Sequence, residues 1–337
     1  MSKHNGKEKS LKSPRHHHYI PKFYLEGFTE GSNDEYLWVL DKQQKKQWKA
    51  KPENAAHQKD FYRIEVPGVE PDAVENAFGK FENKAASVVK DIIKKKTVPT
   101  GEDFIILINF VALMAVRIPS YRSFFNGPLE EMNKFALQLM LANPKRFKTI
   151  KERMRRDGFE VDEKVSYEIM KRFIERDNYS IKVSQEWHIK NMLDSIDLLI
   201  PLLLGRKWSL IIIKDEEDEF ICSDSPVTLM WAKPMPPFWG PGFGMKYTEL
   251  TMPLAKQIAL LARFEREPQI LLAPKKVIAK LNSRTVMYAE RFIYSPRKDF
   301  IWLDKDGKNR NVTDLIKILK SKKEGGKIKI MVEAKDN

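Results

Sequence analysis

The sequence predicts an α+β protein with a predominantly helical middle and short antiparallel β-hairpins contributed by the N-terminal and C-terminal thirds. Three observations predict this class. β-branched and aromatic residues form compact runs at 36–40 and 208–213, as strands do. Apolar residues recur at three-to-four spacing from Val74 to Ile92, as in an amphipathic helix. The composition, 42% hydrophobic and 31% charged, is that of an ordinary globular protein.

The N-terminal third contains the first predicted hairpin. The run 36–40 is followed by a polar turn at 41–46 and by Gln47-Trp48-Lys49, so the two runs are expected to pair as antiparallel strands. Residues 61–64 predict another short strand.

The middle of the chain is predicted to be helical. An amphipathic helix begins near residue 72, where Pro71 suits the first turn. A second, buried helix covers 100–117 and ends before Pro119. Further helices are predicted at 128–142, 144–157, 162–177 and 184–203.

After Gly205 the pattern becomes β again. The apolar run 208–213, an acidic turn at 215–219 and the run 220–222 predict a second hairpin. A Pro- and Gly-rich stretch at 233–244, unusually rich in aromatic residues, predicts a loop. The remaining predicted elements are strands at 249–254 and 257–263, a helix at 274–289, a strand at 292–294, a basic helix at 313–323 and a final strand at 327–333.

These elements suggest three segments. We expect residues 1–15 to be a disordered basic tail and residues 16–303 to form a single globular α+β domain. Residues 304–337 are expected to form a basic helix and strand appendage, through which a protein partner would bind.

Basic residues outnumber acidic ones, with 60 Lys and Arg against 46 Asp and Glu, which gives a net charge of +14 and a pI near 9.5. This charge favours polyanionic partners, so nucleic acid is a candidate partner, although proteins that bind no nucleic acid also reach such a charge. The basic clusters at 45–51, 145–156 and 317–329 are either solvated faces or, with Trp48 and Phe147 among the cations, a nucleic-acid surface.

The single cysteine, Cys222, excludes an internal disulfide and a thiolate metal cluster, as is typical of a reducing compartment. The polar N-terminus lacks the apolar run of a secretory signal. Two apolar runs, 104–116 and 196–204, are shorter than the about 20 residues of a membrane-spanning helix. These observations predict a cytoplasmic protein without a membrane partner.

Half of the six histidines stand together as His16-His17-His18, directly before Tyr19-Ile20-Pro21. A neutral imidazole here is a candidate general base or metal ligand, because histidine titrates near neutral pH. The alternative is that one histidine packs in the core and the others are solvated. A purification-tag remnant is disfavoured, since the histidines continue into an aromatic and aliphatic pattern.

Two further positions carry candidate chemistry. Ser223-Asp224 lies where a β-run ends before Pro226, so Asp224 either projects into a cleft or satisfies the backbone amides of a turn. Arg117 ends an apolar helix, where its guanidinium needs an anionic partner, either a bound phosphate or a structural carboxylate. Glu75 and Glu82 are two turns apart on one helix face and form an acidic strip toward a site or toward water.

Several well-known motifs are absent from the sequence. There is no phosphate-binding glycine loop, no His-Glu-x-x-His pair, no Cys-x-x-Cys and no dinucleotide glycine fingerprint between a strand and a helix. A nucleotide cofactor is therefore not indicated, whereas a divalent metal is left open.

A series of short motifs follows in a fixed order along the chain, namely His17-His18-Tyr19-x-Pro21-x-x-Tyr24-Leu25-x-x-Phe28, Tyr36-x-Trp38-Val39, Asp60-Phe61-Tyr62, Glu75 with Glu82, Arg117-x-Pro119, Trp208, Ser223-Asp224-x-Pro226-Val227, Pro253-Leu254, Asn282 and Ala289-x-Arg291. Taken together, these motifs resemble the microbial family known as domain of unknown function 4238, from about residue 17 to residue 294. One difference is Ser225, which stands where the family pattern has asparagine. The resemblance implies that five polar residues scattered along the chain share one cleft, namely His18, Arg117, Asp224, Asn282 and Arg291.

The leading hypothesis is an enzyme directed at nucleic acid or phosphoesters, such as a nuclease-like hydrolase in microbial defence. Its predicted catalytic residues are His17, His18 and Asp224. The predicted substrate-binding residues are Tyr19, Tyr62, Arg117, Ser223, Asn282 and Arg291, and the candidate metal ligands are His18, Asp224 and Glu82. The alternatives are a non-catalytic sensor module that binds a ligand or partner, and a structural component of a larger complex.

Overall fold

The computed structural model describes residues 15–31, 35–214, 218–236 and 239–321. The chain divides into two compact units, one formed by residues 1–119 and 189–337 and the other by residues 120–188. We call them the sheet unit and the helical unit. The architecture is α+β, as predicted. The single domain expected for 16–303 stays a prediction.

The sheet unit begins with short elements that carry the histidine motif. In order these are β1 (His16–His18), α1 (Lys22–Glu26), β2 (Leu37–Asp41), β3 (Lys46–Ala50), a 3-10 turn (Pro52–Asn54), β4 (His57–Lys59), α2 (Ala73–Lys95) and α3 (Gly101–Val116). The predicted hairpin is confirmed, because β2 and β3 pair antiparallel with Leu37 opposite Ala50. The strand predicted at 61–64 is wrong, since Phe61 and Tyr62 lie in a turn that follows β4.

The strand β1 is held by its pairing with β4 and by the helix α1 that follows it. It pairs antiparallel with β4, so that His16 lies opposite Lys59 and His18 opposite His57. The helix α1 that follows is anchored on the large sheet, because the buried Tyr24 hydroxyl donates to the carbonyl of Pro253. Gly27 permits this close approach, since a Cβ atom there would lie 3.1 Å from the carbonyl oxygen of Leu254. The histidine motif is therefore fixed to the core.

The helical middle is confirmed, although two of its helices start elsewhere than predicted: one starts earlier, and the helix predicted from residue 162 starts at Tyr167. Its helices are α4 (Pro119–Met140), α5 (Pro144–Arg156), α6 (Tyr167–Glu175) and α7 (Gln185–Leu204). Helix α4 begins nine residues earlier than predicted, because Pro119 is accommodated in the first turn, and Pro128 lies inside it. The Asn143 and Ser166 side chains cap α5 and α6 by accepting from the backbone N–H of Arg146 and Ile169.

The later strands are β5 (Lys207–Ile213), β6 (Cys222–Ser223), β7 (Thr228–Trp231), β8 (Thr248–Ala255), β9 (Ile258–Arg263) and β10 (Ile270–Ala273). They are followed by α8 (Lys275–Tyr288), β11 (Phe292–Ser295), β12 (Trp302–Leu303), β13 (Asn309–Arg310) and α9 (Val312–Ser321). One sheet has the order β10-β5-β9-β8-β7 and another the order β3-β2-β11-β6. In the first sheet β5 and β10 are parallel, whereas its other pairs are antiparallel.

The second predicted hairpin, of 208–213 with 220–222, is wrong. The apolar strand β5 pairs with β9 on one side and β10 on the other, while β6 joins the other sheet through β11. A continuous apolar run is typical of a strand whose two faces are both buried, and β5 lies between β9 and β10, which come later in the chain. The strands at 249–254 and 257–263 and the helix at 274–289 are confirmed.

The C-terminal helix α9 is part of the core. Val312, Leu315 and Leu319 pack in one buried cluster with Trp302 and Ile293. The predicted boundary at residue 303 stays a prediction, and the tail at 1–14 and the final strand at 327–333 lie outside the described residues. The stretch 233–244 is a loop wherever it is described.

Within the described ranges, no single helix is both long and apolar enough to cross a membrane, although the consecutive helices α3 and α4, bent at their junction, pass that test as a pair.

Candidate functional site

His17 is fully buried and held in one tautomer. Its Nδ1 accepts a hydrogen bond from the backbone N–H of Tyr62 at 2.8 Å, so the proton of the neutral ring is on Nε2. Nε2 lies 3.9 Å from Oδ1 of Asp72. The imidazole stacks on the Tyr62 ring, with centroids 5.9 Å apart and planes within 4°. A role of His17 as general base stays a prediction, and the carboxylate nearest to its Nε2 is Asp72.

Three other histidine rings lie along the β1–β4 pair. His18 donates from Nε2 to the carbonyl of Glu53 at 3.1 Å. Burial, aided by the charges of His57, Arg117 and His16, lowers the pKa of His18. His16 and His57 approach through their Nδ1 atoms at 3.2 Å, and burial lowers the pKa of His57. The ring of His18 is therefore uncharged at neutral pH.

Arg117 connects three elements beneath these histidines. Its guanidinium is buried and donates to Oε1 of Glu82 at 2.7 Å, to the carbonyl of His18 at 2.5 Å and to the Tyr62 hydroxyl at 3.3 Å. The ring of Phe78 lies 5.0 Å from the guanidinium carbon. Burial by itself would lower the pKa of Arg117, but the interactions with Tyr62 and Glu82 have the larger effect. The net result is a raised pKa. The sequence left a bound phosphate or a structural carboxylate as the partner of Arg117. These contacts form a structural ion pair with a carboxylate.

Glu75 is the carboxyl group in this cluster with the most unusual environment. One face of α2 and its N-cap carries Asp72, Glu75, Phe78 and Glu82, and this face is turned toward Arg117. The pKa of Glu75 is raised to about 7, chiefly by burial, with Arg117 lowering it and the negative charges of Glu82 and Asp72 raising it. Its Oε2 is buried without a hydrogen bond within the described part of the chain. Glu75 can therefore gain and lose a proton near neutral pH.

Asp224 lies in a second polar cluster, around β11. Its Oδ1 accepts from the backbone N–H of Glu290 at 2.9 Å, and its Oδ2 accepts from those of Arg291 and Phe292 at 2.7 and 2.8 Å. Burial raises the pKa of Asp224 to about 6, opposed by these three N–H groups and by Lys42. The carboxylate thus fastens the start of β11.

Arg291 and Tyr19 flank this second cluster. The Arg291 side chain donates from Nε and one terminal nitrogen to Oδ2 of the buried Asp41, at 2.9 and 2.8 Å. The Tyr19 hydroxyl lies 3.4 Å from that of Tyr294, and burial raises the pKa of Tyr19. Arg291 is therefore engaged by a protein carboxylate.

Ser223 and Asn282 form hydrogen bonds within the core. The Ser223 hydroxyl accepts from the N–H of Ser225 at 3.1 Å and donates to its carbonyl at 3.0 Å, which makes a local turn. The Asn282 amide accepts from the N–H of Ile221 at 3.2 Å and donates to two carbonyls at 3.0 Å. Both side chains are fully buried.

The predicted residues thus fall into separate groups. One group lies beside the first half of α2 and contains His17, His18, Tyr62, Glu82 and Arg117. The other lies at β11 and contains Tyr19, Asp224 and Arg291. All hydrogen bonds of the Asp224 carboxylate go to the backbone of 290–292, so the predicted pairing of a histidine with Asp224 is not formed in the described part of the chain. Over the same ranges, no group of three or more His, Cys, Asp and Glu side chains could hold a metal ion.

Sequence reasoning missed four residues of these clusters. Asp72 and Arg63, whose side chains lie 3.6 Å apart, complete the His17 group, and Asp41 and Lys42 complete the Asp224 group. Asp72 could have been found as the residue before a predicted helix. The other three have no signal in the sequence, because their partners are distant along the chain.

One family model matches residues 16–299, a stretch that contains both clusters. The chain belongs to the DUF4238 family, described as proteins of unknown function. The resemblance seen in the sequence is thereby confirmed. No curated protein and no solved structure gave a match. The DUF4238 match ends before α9, so both polar clusters, but not the C-terminal helix, lie in the family region.

The contacts of Asp224 lead to a stability prediction for this DUF4238 protein. Asp224→Asn is expected to lower the free energy of unfolding by about 2 to 3 kcal/mol, because an amide cannot accept from all three N–H groups and turns a donor toward one of them. Chemical denaturation followed by circular dichroism measures this loss. Asp306→Asn, at an exposed position, should change stability by no more than about 0.5 kcal/mol. Equal stability of both variants would contradict a structural role for Asp224.

Proposed function

We propose that this DUF4238 protein is an acid–base hydrolase directed at phosphoester bonds, with its site at the start of α2 beside the histidine motif. The observation that carries the proposal is Glu75, a half-buried carboxyl whose pKa is raised to about 7. Catalytic acids and bases work best when their pKa lies near the operating pH, and groups with strongly shifted pKa values concentrate in functional sites.

The neighbouring groups support acid–base chemistry at this position. As a carboxylate, Glu75 would take the proton of a water molecule that attacks phosphorus. As the new P–O bond forms, the P–O bond to the leaving oxygen breaks, and the protonated Glu75 can return its proton to that oxygen. His17 places its Nε2 proton 3.9 Å from Oδ1 of Asp72, the N-cap residue of the same helix.

The net charge of +14 is what favours an anionic substrate. Arg63, on the rim of the cluster and 3.6 Å from Asp72, is a partly exposed cation that a phosphate could reach. A nuclease-like activity is the form of hydrolysis that this charge supports best, since nucleic acid is the most abundant polyanion with phosphoester bonds. Divalent metal dependence is tested by adding Mg²⁺ or Mn²⁺.

The decisive experiment compares the full chain with its Glu75→Gln variant on a chromogenic phosphodiester and on labelled RNA and DNA oligonucleotides. We expect the variant to lose about 10²-fold or more in kcat. The wild-type rate should rise as the pH passes through about 7, because Glu75 then becomes ionised, and this rise should disappear in the variant.

The matched control is Glu70→Gln, the same change at an exposed position shortly before α2, which should keep the wild-type rate and pH profile. Hydrolysis that persists in Glu75→Gln with an unchanged pH profile would contradict the assignment of Glu75. Absence of turnover on every phosphoester, with or without divalent metal, would contradict the function. Alanine at His17 or Asp224 distinguishes the two polar clusters, since only the His17 change should reduce turnover beyond its effect on folding.

A second candidate, the non-catalytic binding module, is favoured by the aromatic loop after β7. Trp239 is 54% exposed although its carbonyl accepts from the Trp231 indole at 2.9 Å. The buried Arg206 holds the same loop by donating to the carbonyl of Phe243 at 2.7 Å. An anchored yet exposed aromatic surface suits ligand binding, and this candidate requires binding without turnover.

A further inference from the structure

Helix α5 of the helical unit is the most basic element of the described chain. Its thirteen residues include seven Lys and Arg and one Glu. Three of the cations have carboxylate partners: Lys151 and Arg155 pair with Glu163, and Arg153 lies 3.7 Å from Asp157. The other four form no ion pair among the described residues, and these are Lys145, Arg146, Lys148 and Arg156.

The helix contacts its own unit through one narrow apolar seam. Phe147, Ile150 and Lys151 are its only half-buried residues, and Phe147 faces the Tyr167 ring at 6.0 Å. The Lys151 ammonium lies 5.9 Å from the Phe147 ring and donates to the carbonyls of Asp162 and Val165. The expectation that Phe147 is exposed between cations for base stacking is therefore not met, because its ring is part of the seam.

Three of these four cations lie on the opposite side of α5 from the seam. At 3.6 residues per turn, Lys145, Lys148 and Arg156 share one side of the helix, while Phe147 and Met154 share the other. From Lys145 to Arg156 this row extends about 16 Å. One strand of duplex DNA carries about five phosphates over that length. The spacing and sign of the charges therefore suit a phosphodiester backbone.

The same face is unsuited to a lipid surface. Helices that bind membranes direct an apolar side into the acyl region, but α5 turns its apolar side inward. Away from the seam the helix carries only polar or charged side chains, and its exposed Met154 lies on the seam side. The polar and charged positions are Lys145, Arg146, Lys148, Thr149, Glu152, Arg153, Arg155 and Arg156. A face without apolar side chains attracts phosphates electrostatically but has no side chain that could insert into the acyl region of a membrane.

We infer that α5 is a docking helix for the sugar–phosphate backbone of nucleic acid, bound without sequence preference. The inference deepens the proposed function, because it names nucleic acid as the carrier of the phosphoester bond. It also assigns a role to the helical unit, which contains none of the residues of the two polar clusters. Binding and hydrolysis are measured separately, so that either can fail alone.

The test uses the full chain with Glu75→Gln, so that the probe is not consumed, and the wild type in parallel. Binding of mixed-sequence RNA and DNA oligonucleotides, single-stranded and duplex, is measured by fluorescence polarisation over a range of salt concentrations. Replacing Lys145, Lys148 and Arg156 together by glutamate should weaken binding at least about tenfold and lower the slope of log K against log salt by about 2 to 3.

The matched control carries three Lys→Glu changes at exposed positions of α2, namely Lys80, Lys84 and Lys90, which alter the net charge equally. Circular dichroism verifies that both triple variants are folded. Equal loss in the two variants, unchanged binding in the α5 variant, or binding only to phosphatidylserine vesicles would overturn the inference. Intact nucleic-acid binding in a chain that hydrolyses no phosphoester would overturn the proposed function and leave the inference standing.

Discussion

Replacing Arg117 by methionine is expected to lower the free energy of unfolding by about 3 to 5 kcal/mol. The guanidinium is 1% exposed and is held by Glu82, the His18 carbonyl and the Tyr62 hydroxyl. Methionine fills much of the same space between the Tyr62 and Phe78 rings, so the loss comes chiefly from a carboxylate and a carbonyl left without their donor. Urea denaturation at neutral pH, followed by circular dichroism, measures the change.

Two further variants test the reason for this loss. Lys84→Met removes an exposed cation from α2 and should change stability by no more than about 0.5 kcal/mol. Adding Glu82→Gln to Arg117→Met should recover at least about 1 kcal/mol, because the uncompensated charge is then gone. A loss below about 1 kcal/mol in Arg117→Met, or no recovery in the double variant, would contradict the ion pair as the link between β1, α2 and α3.

A similarly large effect is expected for Glu249→Gln in the large sheet. Glu249 on β8 accepts from Arg284 of α8 at 2.6 Å and from Arg263 of β9. Burial by itself would raise the pKa of Glu249, but the two guanidinium groups have the larger effect. The net result is a lowered pKa. A neutral glutamine leaves two largely buried cations without a counter-charge, and we expect a loss of about 3 to 5 kcal/mol.

The pH dependence checks the sign of this effect. Because the pKa of Glu249 is lower in the folded state, its stabilisation is complete above the unfolded value near 4.5 and is lost as the pH falls through the folded value. The difference in stability between wild type and Glu249→Gln should therefore be full at pH 7 and shrink below about pH 4.5. The exposed Glu267, 3.6 Å from Lys207, is the matched position for a control Glu→Gln change. A difference that stays constant to pH 3 would contradict the charge-based explanation.

Local patterns in the sequence were sufficient for much of the fold. The period of Val74 to Ile92 predicted α2, and the flanking caps and prolines placed α3 and α5 within a few residues. The β2–β3 hairpin was equally accessible, because its strands are joined by a short polar turn and pair with each other. In each case the partner of a residue lies a few positions away, within the window that a pattern covers.

The second hairpin shows where such reasoning stops. The runs 208–213 and 220–222 are neighbours in the sequence, yet β5 and β6 belong to different sheets. Both strands pair with segments that come later, since β5 pairs with β9 and β10 and β6 with β11. Nothing local distinguishes these partners from a simple hairpin.

The site divides in the same manner. The sequence by itself determined the helical middle, the basic character, the family and most of the polar residues that form the two clusters, because residue types and short spacings carry that information. Only the tertiary structure decided that Arg117 pairs with Glu82, that Asp224 binds the backbone of 290–292 instead of a histidine, and that Glu75 titrates near pH 7. Hydrogen bonds and pKa values depend on which groups meet in space and how much water reaches them, and those distances are set by the packing of elements that lie far apart in the chain.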